Sequence, residues 1–377
     1  MEISACVKYV GVNDHQVDLF EGQYKVPNGM SYNSYVILDE KIAVMDTVDG
    51  FFTEEWLNNV EKVLGGKMPD YLVIQHMEPD HSASIPAFLK KYPKATVVST
   101  AKGFQFMEQF FPEFFAGQGL PTEQRIVAAN DGVLELGQHS LHFVYAPMVH
   151  WPEVMMTYEA TEKILFAADG FGKFGALDVE EEWADEARRY YIGIVGKYGP
   201  QVQAVVKKAA GLDIQTICSL HGPVLKENLG FYLEKYDRWS SYQPEESGVV
   251  IAYASVYGNT RNAAEYLADV LQEKGQKTVL YDLARCDKAK AVADAFRYDR
   301  LVLAGITYNG DLFPCMRSFI EGLTERNYQN RKVAIIENGT WAPMAGKLIL
   351  GMFEKSKNLT FTETTVSIKS AMNEQNK

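Results

Sequence analysis

Short apolar runs separated by Gly, Pro and Asp fill the first two thirds of the chain. Examples are YLVIQH (71–76), ATVVST (95–100), LHFVYAP (141–147), KILFAAD (163–169) and IQTICSLHG (214–222). Each is of strand length and rich in β-branched or aromatic side chains, which suit a pleated, buried surface. Helical spacing lies between some of them. FFTEEWLNNVEKVLGG (51–66) predicts a helix capped by Thr53 and ended by Gly65 and Gly66. The polar stretch SSYQPEESG (240–248) reads as a linker. Beyond it the pattern becomes regular. Strand patterns GVVIAYAS, KTVLYDL, RLVLAGI and KVAIIEN alternate with helical patterns TRNAAEYLADVLQEKG and KAKAVADAFRY and with helices near CMRSFIEGL and AGKLILGMFEKS. TFTETTVSI is a last strand, and a full final helix barely fits in the residues that follow it. Strands and helices alternating in this way predict a doubly wound parallel sheet. The chain therefore divides into a mixed α and β domain, 1–246, and an α/β domain, 247–377.

Charge narrows the partners. The formal net charge of -12 repels nucleic acid and acidic membrane surfaces, so neither is expected. No apolar run reaches the length of a membrane span, and the opening MEISACVKYV has no signal-peptide core. The four cysteines, Cys6, Cys218, Cys286 and Cys315, form no CxxC pair, which argues against a structural zinc site or a rubredoxin-type iron site. A reduced, cytoplasmic protein fits these features.

Histidines and carboxylates gather at strand ends. His76, Glu78, Asp80 and His81 stand within six residues directly after the strand pattern YLVIQ. Such a loop can offer His76 and Glu78 to one metal and Asp80 and His81 to another. His150 follows LHFVYAP, Asp169 follows KILFAA, and His221 follows IQTICSL. Rigid strands that carry ligands at their C-terminal ends suit a preorganised site. Four imidazoles and three carboxylates suit two metals with one bridging carboxylate. His15, His139 and His142 lack this context and read as ordinary residues.

The second domain offers three loops at C-terminal strand ends, where doubly wound sheets bind ligands. Ser255, Val256, Tyr257, Gly258, Asn259 and Thr260 open its first helix and can hold a phosphate on hydroxyls and free backbone N–H groups. Neither GxxxxGK[ST] nor GxGxxG is present, so a monophosphate fits better than a nucleotide-hydrolysing or dinucleotide site. Thr307, Tyr308, Asn309 and Gly310 follow the third strand, and Asn338, Gly339, Thr340 and Trp341 follow the fourth. Each of these loops sets an aromatic beside Gly and polar side chains, as a flat ring system needs.

HxExDH followed by H, D and H resembles the metallo-β-lactamase fold, an αββα sandwich whose hydrolases carry HxHxDH and bind zinc. Glu78 stands where those hydrolases have His, and a harder carboxylate donor favours iron. That Glu, with HWPEVMMTY (150–158), YNSYVI (32–37) and HGPV (221–224), resembles the flavodiiron proteins. The three loops resemble those of flavodoxin. The resemblance covers nearly the whole chain and implies a di-iron centre and FMN. It assigns His76, Glu78 and His150 to one iron, Asp80, His81 and His221 to the other, and Asp169 to the bridge. It places Tyr308 and Trp341 against the flavin ring. It implies reduction of O2 to water, NO to N2O, or both, with electrons from rubredoxin or a similar donor, in a head-to-tail homodimer. The alternatives are a metal hydrolase with a flavodoxin-like appendage and a non-catalytic FMN electron carrier. Tyr191, in ARRYYIGIVG, reads as a packed helix residue in preference to a proton-donating phenol near the metals.

Overall fold

The computed structural model describes residues 3–115 and 120–377; residues 1–2, at the start of MEISACVKYV, and 116–119 lie outside the described residues. The chain forms two compact units, 1–190 with 200–234, and 191–199 with 235–377.

The first unit is built on two sheets. In one, Val7–Tyr9, Tyr35–Ile37, Ala43–Met45, Tyr71–Val73, Thr96–Ser99 and Arg125–Val127 lie side by side in that order. The first two junctions are antiparallel and the rest parallel. In the other the order is Val133–Glu135, Ser140–Tyr145, Met155–Glu159, Ile164–Phe166 and Thr216–Cys218. All five strand patterns named in this region are strands. Tyr35, Met45, Val73 and Val98 of one sheet share a buried cluster with Phe143, Met155, Phe166 and Cys218 of the other, so the sheets pack face to face. Residues of the alternate register, Val36, Val44, Leu72 and Val97, are fully buried as well, so the outer face of the first sheet is covered too. The helices Thr53–Leu64 and Ile85–Lys91 bury Trp56, Val60, Ile85 and Phe88, with the Trp56 and Phe88 rings 5.8 Å apart.

Thr53 does not cap its helix. It is the first helical residue, and its hydroxyl donates to the Gly50 carbonyl at 2.9 Å. The 3-10 turn Gly50–Phe52 precedes it and is capped by Asp49, so the helical path starts earlier than the pattern suggested. Gly65 ends the helix in the left-handed region at φ 56°, where its N–H reaches the Glu61 carbonyl.

In the second unit the strand order is Thr278–Asp282, Glu246–Tyr253, Tyr298–Tyr308, Arg331–Asn338 and Leu359–Phe361, all parallel. In chain order this is 2-1-3-4-5, the flavodoxin-like doubly wound arrangement. Helix Leu229–Ser240 and strand Glu246–Tyr253 absorb both ends of the polar stretch 240–248. The last strand pattern splits into Leu359–Phe361 and Val366–Ile368, both parallel to Arg331–Asn338. Between the halves the Thr362 hydroxyl donates to the Thr364 carbonyl, a local bond that competes with the ladder. After Tyr308 the chain doubles back through Asn309 and Gly310, both at positive φ, into Asp311–Leu312. This is the two-residue Asn-Gly hairpin that matches strand twist.

Phe143, between the two sheets, tests the sandwich. Phe143→Ala should destabilise the first unit by about 3–5 kcal/mol, read as a lower denaturant midpoint for loss of its near-UV signal.

Candidate metal centre and cofactor cleft

Strand ends and their clamps set the first site. Ile74 N–H still bonds the Val98 carbonyl, which extends the ladder toward His76. Buried Asp46 then fixes Gln75, accepting its backbone N–H at 2.7 Å and its side-chain amide at 2.9 Å. Pro79 opens the short helix Pro79–Ser82, which carries Asp80 and His81 in its single turn. The Thr47 N–H and hydroxyl hold the His81 carbonyl at 2.9 and 2.7 Å. On the far side, Asn33 donates to the carbonyls of Ser219 and Gly222, and the Tyr35 hydroxyl donates to Ser219 as well. The stretch YNSYVI thereby clamps the loop that presents His221.

All seven side chains singled out in this domain come together, in two groups. In each group the donor atoms lie within 4.8 Å of one another: His76, Glu78, His150 and Asp169, and Asp80, His81 and His221. Asp169 faces both. Its Oδ2 lies 3.4 Å from His76 Nε2 and 3.3 Å from His150 Nε2, while its Oδ1 lies 3.2 Å from His81 Nε2 and 4.0 Å from His221 Nε2. Glu78 Oε2 is 3.2 Å from His76 Nε2 and 2.9 Å from His150 Nε2. Asp80 Oδ2 is 3.3 Å from His81 Nε2 and 3.2 Å from His221 Nε2.

For two of the four imidazoles, His76 and His221, the far nitrogen explains why Nε2 points inward. His76 Nδ1 donates to Glu153 Oε1 at 2.7 Å, and the Met77 N–H reaches the same oxygen at 2.9 Å. His221 Nδ1 donates to the Ser31 carbonyl at 2.7 Å. A proton committed to Nδ1 leaves Nε2 as a lone pair in the neutral ring, the form that binds metal. Both oxygens of Asp80 and of Asp169 are buried without a hydrogen-bond donor. Donor atoms about 3–3.5 Å apart are the spacing that bonds of roughly 2.0–2.2 Å to a shared ion produce. The donor set fits two cations joined by Asp169.

Electrostatics says the same. Burial disfavours a charged His76, yet Asp169, Glu153 and Glu78 outweigh it and hold its pKa well above the ordinary value. His150 is likewise lowered by burial but raised more by Asp169 and Glu78, to about 9. Burial raises Asp169, and the imidazoles of His76, His150 and His81 pull it well below the usual carboxylate range. Protons and metal compete for the same imidazoles.

Aromatic rings wall the centre. Phe20, Tyr32 and Tyr190 stand 5.4, 6.0 and 5.4 Å from His221, and Trp151 stands 5.3 Å from His76. Tyr191 is packed, with its ring against Tyr236 and Trp239. The phenols beside the centre are its neighbour Tyr190 and Tyr32. Sequence reasoning missed Tyr190, Ser31 and Glu153. The position of Glu153 three residues after His150 in HWPE was the available signal for the last of these. His15 pairs with exposed Asp178, His142 meets Ser140, and His139 lies between Asp39 and Glu162; none joins the centre.

The second unit carries a cleft of about 630 Å³ at the C-terminal ends of its strands. Ser255, Val256, Tyr257, Asn259, Thr260, Thr307, Tyr308, Asn309, Gly310, Asn338, Gly339, Thr340 and Trp341 line it, joined by Ile306, Ala342, Met344 and Ser370, which were not expected. Gly258 is not among the lining residues. It sits at the helix N-cap with φ 92°, and its N–H bonds Ser255 Oγ at 3.1 Å. A left-handed turn there opens helix Asn259–Glu273 toward the cleft with its first N–H groups unspent, a seat for a phosphate. Thr307 Oγ1 accepts the N–H groups of Met344 and Ala345, so its hydroxyl has only its own proton left for a ligand. Asn338 ties the floor together through Thr260 and Ser370. Tyr257 and Trp341 are largely exposed, at 93% and 80%, and Tyr308 is about half so, leaving flat faces free for a ring ligand.

Residues 30–222 match the family model described as ODP family beta lactamase, and residues 250–356 match a flavodoxin domain. The chain is 28% identical to the anaerobic nitric oxide reductase flavorubredoxin of Vibrio vulnificus, over 89% of this chain and 69% of that one. The flavodiiron protein from Giardia intestinalis is similar in structure, with a TM-score of 0.87 and 27% identity over 96% of this chain and 91% of that one. The rubredoxin oxygen:oxidoreductase of Desulfovibrio gigas shares the fold, with a TM-score of 0.91 and 24% identity over 100% and 94% of the two chains.

Two outcomes follow from these geometries. Glu153→Ala frees the His76 ring and should weaken metal affinity by about 10–100-fold, measured by chelator competition. Because His150 titrates near pH 9, metal must displace its proton below that pH, and affinity should fall as pH is lowered from 9 to 6. Calorimetry in buffers of differing ionisation enthalpy would register the released protons; an affinity independent of pH would contradict the assignment.

Proposed function

The chain belongs to the flavodiiron proteins, an ODP-family beta-lactamase domain joined to a flavodoxin domain, and from that premise we propose that it reduces O2 to water, NO to N2O, or both, at a di-iron centre held by His76, Glu78, Asp80, His81, His150, Asp169 and His221. The observation that carries this reading is the division of Asp169, one oxygen toward each group of ligands. A single metal would leave the other oxygen countered only by protonated imidazole.

When bound, two ferrous irons and, in the second unit, reduced FMN would supply two electrons each: the four that O2 needs, with four protons, to become two waters, or twice the two that a pair of NO molecules needs for N2O and one water. The chain's own part is to bind, orient and exclude. Glu78 supplies a hard oxygen donor in the position where zinc hydrolases of this fold carry His, which favours iron and redox chemistry over hydrolysis. Glu153 and the Ser31 carbonyl fix the ring orientations of His76 and His221. Phe20, Tyr32 and Tyr190 pack on the His221 imidazole and keep water from it. In the second unit the 255–260 loop would hold the FMN phosphate, and Tyr308 and Trp341 would offer their aromatic faces to its ring system.

The names of two relatives, nitric oxide reductase flavorubredoxin and rubredoxin oxygen:oxidoreductase, support a rubredoxin-type electron donor and either gas as substrate. The working form in this reading is a head-to-tail homodimer in which FMN of one copy serves the irons of the other, and the setting is the cytoplasm. No helix among the described residues is long and apolar enough to cross a membrane.

Reduced, iron- and FMN-loaded protein should consume O2, NO or both on paired gas electrodes, and the ratio of rates identifies the preferred gas. Asp169→Asn should abolish uptake and leave the flavin spectrum intact. Failure to consume either gas with both cofactors bound would overturn the reading. Trp341→Ala should loosen FMN by at least about fivefold, an aromatic contact being worth roughly 1 kcal/mol beyond its area, without changing iron content.

A further inference from the structure

Among the described residues one more group of metal-competent side chains closes on a point away from the seven-residue centre. Cys6, His139 and Glu162 bring a thiol sulfur, a ring nitrogen and a carboxylate oxygen within 4.8 Å of one another. The group lies at the opposite end of the second sheet. Strand Ser140–Tyr145 starts beside His139 and runs toward His150. Met155–Glu159 returns to the turn that holds Glu162, and Ile164–Phe166 runs back toward Asp169.

The imidazole is prepared as a ligand. His139 is 4% exposed. Its Nδ1 lies 2.8 Å from Asp39 Oδ2, which also accepts the His139 backbone N–H at 2.7 Å, so ring and backbone are fixed by one carboxylate. Nε2 then faces Glu162 Oε1 at 3.3 Å. A histidine oriented through its far nitrogen by a carboxylate is the arrangement that supports metal ligands. The other two donors are also held. The Cys6 carbonyl accepts the Leu38 N–H at 2.9 Å, and its N–H donates to Ser4 Oγ at 3.2 Å. Buried Glu159 accepts the N–H groups of Thr161 and Glu162, which fixes the turn under the Glu162 carboxylate. The 3.3 Å between nitrogen and oxygen is the separation of two ligands bonded at about 2.0–2.1 Å to one tetrahedral ion. Thiolate, imidazole and carboxylate together suit Zn2+ and not Mg2+ or Ca2+, which take oxygen donors.

We propose that Cys6, His139 and Glu162 bind a Zn2+ ion, separate from the di-iron centre, with Asp39 as the residue that positions His139. Cys6 and Glu162 are partly exposed, so water completes the coordination. The ion ties the N-terminal segment to two turns of the second sheet and so couples metal binding to the stability of that end of the sandwich.

The test uses iron- and FMN-loaded protein titrated with Co2+ as a probe for the zinc position. One further equivalent should bind with a thiolate-to-cobalt charge-transfer band, and Zn2+ should displace it. Cys6→Ser should remove the band, while gas uptake and the flavin spectrum stay unchanged. Asp39→Asn should keep the band at saturation but weaken binding by about 10–100-fold. Should Cys6→Ser disturb folding, the wild-type protein decides. Zn2+ should slow iodoacetamide labelling of Cys6, mapped by peptide mass, by at least about tenfold. Labelling indifferent to Zn2+, or a cobalt band that survives in Cys6→Ser, would overturn the proposal and leave an ion-paired Asp39–His139–Glu162 triad.

Discussion

Asp169 is an ionised carboxylate buried to 1% exposure with no hydrogen-bond donor on either oxygen. A charge in that position costs several kcal/mol unless opposite charge surrounds it closely. The imidazoles of His76, His81 and His150, at 3.2–3.4 Å, supply the charge when protonated. Two metal ions supply it better, because one also satisfies Glu78 and the other Asp80 and His221. The rest of the first unit is arranged to make that convergence rigid. Four strand ends deliver the donors, and the Glu153 carboxylate and the Ser31 carbonyl hold the His76 and His221 rings in one tautomer. The sandwich core of Tyr35, Phe143, Phe166 and Cys218 sits directly beneath.

The second unit uses the same geometric device with different chemistry. Its loops also gather at the C-terminal ends of parallel strands, but the cleft is lined by hydroxyls, amides and aromatic faces, with Ser255, Thr260 and Asn338 at its floor. Where the first unit opposes buried charge with buried charge, the second offers the unspent N–H groups of a helix start to a phosphate and flat faces to a ring. A cluster such as Cys6, His139 and Glu162 shows that the sandwich also carries donor groups at its other end, fixed by turns and not by strand ends.

Much of the architecture was legible because its signals are local. The apolar runs at 71–76, 95–100, 141–147, 163–169 and 214–222 each form a strand. The alternation after residue 246 yields the expected doubly wound parallel sheet. Local readings failed where a neighbouring group competed. Thr53 turned its hydroxyl to the Gly50 carbonyl because a 3-10 turn had already begun the helix. The last strand broke where Thr362 bonded Thr364. Tyr190 and Tyr191 are adjacent, and only the direction each side chain takes decides which of them meets His221.

By itself the sequence determined which chemistry is available and in what order. The HxExDH stretch is contiguous, so its four donors are close in any fold that ends a strand before it, and the later His, Asp and His each follow a strand that can be read from its own residues. Tertiary structure alone decided how those donors are shared. That Asp169 presents one oxygen to each group, that Glu153 and Ser31 set the protons of His76 and His221 across 77 and 190 positions, and that His139 meets Cys6 and Glu162 are facts of side-chain direction. Such contacts join residues far apart in the chain. Periodicity and spacing say nothing about them, because they exist only once the two sheets have closed on each other.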